Sequence, residues 1–162
     1  MWVRKSTLMR RIALIALTLS STLIAEAKLK ANTNRVSQIS AEKVLKSLAE
    51  QGLPIVNEII FDAKTDPNRL LGRPGGYLSK VSFFDARYLD RDSDGNYQHT
   101  IEVFVTPAAA QTRKRYIEKV TNGVPFLAQY QFNSGRILLR LDKALTPDEA
   151  DKYNAALIKI GG

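Results

Sequence analysis

The sequence predicts a single α+β domain, a mainly antiparallel sheet of about four to five strands with helices packed on one face. Three observations carry this reading. Runs of β-branched and aromatic residues alternate with polar ones and come in pairs; a capped amphipathic segment follows each pair; and the connections are short enough for antiparallel neighbours. The chain has 162 residues, and residues 39–162 are assigned to this domain.

Ahead of it, Arg4, Lys5, Arg10 and Arg11 precede the apolar run IALIALTLSSTLIA, and Ala25 and Ala27 place small residues at a cleavage position. Residues 1–27 therefore read as a signal peptide, and the apolar run falls short of the roughly 20 residues of a spanning helix. No stable membrane span is expected after cleavage. Residues 28–38, KLKANTNRVSQ, are polar, basic and aperiodic, and read as a flexible arm. The expected location is the periplasm or the extracellular space. Loss of residues 1–27 leaves 20 basic and 15 acidic residues, a net +5, so anionic ligands suit the chain while export argues against nucleic acid. There is no cysteine, so packing alone must hold the exported domain.

Taken in order, Ser40 is an N-cap, Ile39 and Val44 form a staple across it, and Val44, Leu45 and Leu48 make a stripe that ends at Gly52. PIVNEIIFD follows as an extended segment. DPNRLLGRPGGY, residues 66–77, is punctuated by Pro and Gly and reads as a loop. YLSKVSFFDARYL and HTIEVFVT read as strands, with Ile101, Val103 and Val105 on one face, and the acidic segment between them is a hairpin connection. Thr106 and Pro107 start a helix whose inner side is assigned to Tyr116, Ile117 and Val120, and Gly123 ends it. FLAQYQF alternates, with Phe126, Ala128, Tyr130 and Phe132 on one side, and RILLRLD returns after Asn133-Ser134-Gly135. Thr146-Pro147-Asp148-Glu149 is a capping box, and Ala150, Tyr153, Leu157 and Ile160 follow as the buried stripe of the last helix.

Chemistry-bearing patterns are few. Asp90, Asp92, Asp94 and Gly95 imitate the start of a calcium loop, but the twelfth position is Ile101 and the glutamate comes one place late, at Glu102. A polar turn is the simpler reading, and calcium is the one cofactor left open, on Asp90, Asp92 and Asp94. The loop gathers Arg69, Arg73, Gly75, Gly76, Tyr77, Ser79 and Lys80, a set in which glycine-freed backbone amides and cationic side chains suit an anion. It is not a P-loop, because the Gly-Lys-Ser/Thr ending is missing. His99 is the only histidine, so multi-histidine metal sites are out of reach, and the chain's one tryptophan leaves with the signal. No nucleotide fingerprint is present.

The Asp66-Pro67-Asn68, Leu71-Gly72-Arg73-Pro74, Tyr77, Ser79-Lys80 run, with the YIEKV and LLRLDKALTPDEA segments, resembles a family of small exported bacterial proteins, many described only as hypothetical proteins or lipoproteins. The resemblance implies export and a single domain from about residue 66 onward, and it implies no catalytic residues. Relatives of this kind often carry a lipid-attachment cysteine that this chain lacks. The functional expectation is an uncharacterised exported protein, a non-enzymatic binding or accessory domain using the Arg/Gly loop. The alternatives are a small hydrolase or lyase using carboxylates such as Asp85 and Glu102, and a protein inhibitor of a partner enzyme.

Overall fold

The computed structural model describes residues 39–91 and 98–161. Residues 39–162 form one compact unit. The signal peptide and arm assigned to residues 1–38 lie outside the described residues.

Helix α1 spans Ala41–Glu50; the Ser40 hydroxyl accepts from the Lys43 amide as its cap, and Gly52 takes φ 86° just beyond its end. Strands β1 (Ile55–Ile60) and β2 (Tyr77–Asp85) pair antiparallel. A 3-10 turn at Ala86–Arg91 follows β2, and β3 (His99–Phe104) returns beside it. Helix α2 runs Pro107–Thr121, capped by Thr106, whose hydroxyl accepts from the Ala109 amide. Strands β4 (Gln129–Ser134) and β5 (Ile137–Asp142) make a hairpin turned at Gly135, φ 52°. Helix α3 closes the chain at Pro147–Gly161, and its capping box forms as read: the Thr146 amide donates to Glu149 at 2.8 Å and the Glu149 amide to the Thr146 hydroxyl at 3.4 Å. The sheet order is β1-β2-β3-β5-β4, with every pairing antiparallel.

The α+β class stands, and its layering is unequal. Val81, Phe83, Ile101, Val103, Ile137, Leu139 and Leu141 form one sheet face, on which α1 (Val44, Leu45, Leu48) and α3 (Ala150, Tyr153, Leu157) pack as the main core. On the opposite face α2 brings Ala110 and Ile117 against Tyr77, Phe104 and Leu138. The one-face expectation thus describes α1 and α3, while α2 lies across the sheet from them. Strand parity alone would send Tyr77 to the main core with Val81 and Phe83, but the β2–β3 register shifts between Tyr77 and Ser79. That shift puts Tyr77 edge-on to Phe104, ring centroids 5.9 Å apart, and leaves Ser79 facing α1, where its hydroxyl accepts from the Ala41 amide at 2.8 Å.

Three details of the apolar pattern are corrected. Tyr116 and Val120 are exposed, and the inner stripe of α2 is Ala110, Arg113 and Ile117, because the sheet beneath Arg113 presents a carboxylate and not an apolar residue. Val105 lies past the end of β3 and is exposed. Phe126 stands in the 3-10 turn Pro125–Leu127 and is 76 % exposed, so the alternation begins only at Gln129.

Candidate functional site

The loop from Phe61 to Gly76 joins β1 to β2 and is built around one carboxylate. Asp66, 2 % exposed, accepts from the Leu70 amide at 2.8 Å, the Leu71 amide at 3.1 Å, the Tyr77 hydroxyl at 2.6 Å and the Lys80 ammonium at 3.0 Å. Asn68 Nδ2 donates to the Tyr77 oxygen at 3.2 Å. Burial on its own would raise the Asp66 carboxyl, but the donors from Tyr77, Leu70, Lys80 and Leu71 outweigh it and hold the group far below the usual carboxylate range. Burial, then the bond to Asp66, pushes the Tyr77 phenol well up. Burial pulls the Lys80 ammonium down despite its partner, and the Phe61 ring lies 4.3 Å below it.

Glycine does specific work in this loop, where Gly72 takes φ 74°. A Cβ on Gly76 would sit 1.9 Å from the Leu70 carbonyl oxygen, so this close approach of the loop to itself requires glycine at position 76. Gly75 takes φ 77°, and Arg69, with a side chain, takes φ 54°.

The residues expected to form an anion site therefore separate. Tyr77 and Lys80 are buried and committed to Asp66, Ser79 faces α1, and Gly76 is buried under Leu70. Arg69, Arg73 and Gly75 are exposed, and neither arginine is paired with a carboxylate among the described residues. The loop holds together from the inside and presents two guanidiniums outside.

Next to it on the same sheet face is a network that the sequence reading did not assemble. Glu102, fully buried, accepts from Arg113 Nε at 3.2 Å and Arg140 Nη2 at 3.3 Å. Lys80 stands opposite Glu102 in the β2–β3 register, and Ser82 and Thr100 share a hydrogen bond at 3.3 Å one pair further on. The available signal was the polar residue at every second place, Lys80-Ser82, Thr100-Glu102 and Arg140, in strands whose other face carries the apolar run of Val81, Phe83, Ile101, Val103, Leu139 and Leu141.

A third network lies at the other end of β2, against α3. Asp85 accepts from Arg87 Nε at 2.9 Å and from the Tyr153 hydroxyl at 3.0 Å; Arg87 bonds Glu149 at 2.8 Å, and the Tyr88 hydroxyl donates to the same glutamate. Burial would raise Asp85, but Arg87 and Tyr153 bring it below the ordinary value. Asp85 lies on the main-core side of β2 and Glu102 on the opposite side of β3, so these two carboxylates do not face one another across the hairpin. His99, beside Phe83 and Tyr153, accepts at Nδ1 from the Asp142 amide at 3.0 Å. Burial holds its imidazole down at about 4.

Of the calcium triad, Asp92 and Asp94 lie outside the described residues and Asp90 is placed in the 3-10 turn by its backbone. Among the described residues no three metal-ligating side chains come together. No described helix is long and apolar enough to cross a membrane. No family model matches the chain, and no curated protein or solved structure matches it.

Proposed function

We propose that this chain is an exported bacterial binding or accessory domain that meets an anionic partner through Arg69 and Arg73. The observation that carries the reading is the division of the loop: Asp66 consumes the Lys80 charge and the Tyr77 hydroxyl internally, while the two arginines stand exposed on the frame so made. A pre-set frame lowers the entropy lost when a ligand orders the side chains that hold it. Planar guanidiniums suit carboxylate, phosphate or sulfate oxygens. Export rests on the basic and apolar segments of residues 1–27 and on the resemblance carried by the loop motif.

A binding role is also favoured by how the acidic groups are used. The described carboxyls whose titration is displaced, Asp62, Asp66, Asp85 and Glu149, all move downward and all are held by internal donors. A general acid needs the opposite displacement.

The test is thermal unfolding with inorganic phosphate, citrate and an acidic glycan, comparing the natural protein with Arg69→Ala/Arg73→Ala. Stabilisation by an anion that vanishes in the double variant, with the unliganded melting temperature unchanged, is the expected result. Equal stabilisation in both proteins would remove the loop as the contact surface.

A further inference from the structure

The two edges of the sheet differ in kind. At one edge, β1 carries Glu58 and an irregularity between Val56 and Ile59, with Asn57 at φ 52°. Such bulges and charges discourage a further strand from adding. At the other edge, β4 pairs with β5 in unbroken register over all six residues, and its sequence QYQFNS holds no charge and no proline. Every other strand of the sheet contains a charged residue. Among the described residues nothing pairs with the outer side of β4.

We propose that β4 is a self-association edge, joining two copies of this chain by antiparallel β4–β4 pairing about a twofold axis through Gln131. The sequence of the strand is self-complementary in that register. Gln131 meets Gln131 of the second copy, Gln129 meets Asn133, and Tyr130 meets Phe132, so amides face amides on one side of the joined sheet and aromatics face aromatics on the other. A twofold contact requires this property, since the same patch must fit itself.

Three further features agree with it. Gln131 Oε1 and Asn133 Oδ1 are buried and accept no hydrogen bond within the monomer, and buried polar atoms are rarely left so. A reoriented amide ladder along the twofold supplies donors for both. Beside the strand, a depression of about 380 Å³ lined by Asn122, Pro125, Ala128, Gln129 and Gln131 leaves room for the second copy's amides. The adjoining turn also carries Phe126 and Leu127 at 76 % and 44 % exposed, apolar surface that a second copy would cover.

Sedimentation equilibrium of the protein across the micromolar range tests the proposal. A monomer–dimer equilibrium is expected. Gln131→Lys places two like charges face to face on the twofold and is expected to give a monomer, as is Gln131→Glu; mixing the two variants restores a dimer, which a misfolded variant could not do. A protein that stays monomeric at every concentration overturns the proposal. So does a dimer that survives Gln131→Lys unchanged, because the contact then lies elsewhere.

Discussion

His99 makes the acid stability of this protein readable as the titration of one group. Its imidazole is 1 % exposed, sits 5.2 Å from the Phe83 ring centroid, and accepts at Nδ1 from the Asp142 amide, which fixes the proton on Nε2. Burial, with a smaller contribution from Arg87, opposes a second proton more strongly than Asp85 favours one, so the group is held at about 4 against an ordinary 6.5. Above pH 6.5 neither folded nor unfolded chain protonates here. Between 6.5 and 4 the unfolded chain gains a proton that the folded one refuses, and stability falls by ~1.4 kcal/mol for each pH unit. The total is roughly 3 kcal/mol, a large part of the stability of an ordinary domain. The depressed carboxyls also lose stability as the pH falls, but they do so lower, below their unfolded values of 3.8 to 4.5. The chain has one histidine, so the interval from pH 6.5 down to about 4.5 belongs to His99. Urea unfolding at half-unit steps of pH measures it, with His99→Gln as the variant that keeps an acceptor for Asp142 but cannot titrate. A flat natural profile in that interval, or an equal slope in His99→Gln, refutes the reasoning.

Other outcomes follow from the same buried groups. Asp66→Ala strands Lys80 in the interior without its carboxylate and opens the loop, and a loss of about 3 to 5 kcal/mol is expected in urea unfolding. Gly76→Ala forces a methyl group into the Leu70 carbonyl, 1.9 Å away, and is expected to lower the melting temperature sharply while Gly72→Ala, whose cost is a strained backbone alone, lowers it less. Thr146→Ala removes half of the α3 capping box and should cost about 1 kcal/mol, read by the same unfolding measurement.

Local signals carried the fold well because they are local. Ser40, Thr106 and Thr146 each cap a helix one residue ahead of its first turn, and Gly52 and Gly135 lie where the chain needs positive φ. The failures occur where a side chain's environment is set by a distant segment. Tyr116 and Val120 look like an inner stripe until the Glu102 carboxylate beneath α2 makes Arg113 the better inner residue. Phe126 fits an alternating pattern whose strand has not yet begun.

The loop shows the same limit. Its glycines and arginines are legible as a turn with cations, but spacing cannot tell that Lys80, fourteen positions after Asp66, turns inward to it while Arg69 and Arg73 turn out. The shift between Tyr77 and Ser79 leaves no mark in the alternation, although it decides that Tyr77 joins the same carboxylate.

The polar sheet face has one more consequence, for how the strands choose their alignment. A sheet held only by apolar contacts can slide by two residues and still bury carbon against carbon. Here Lys80 opposes Glu102, and Thr100 opposes Arg140, across three adjacent strands. A slip by one residue would turn the Glu102 carboxylate and the Arg140 guanidinium into the layer occupied by α1 and α3, and a slip by two would part them from their partners. In a chain with no disulfide to record the correct alignment, these charges act as a key that fits a single setting of the lock.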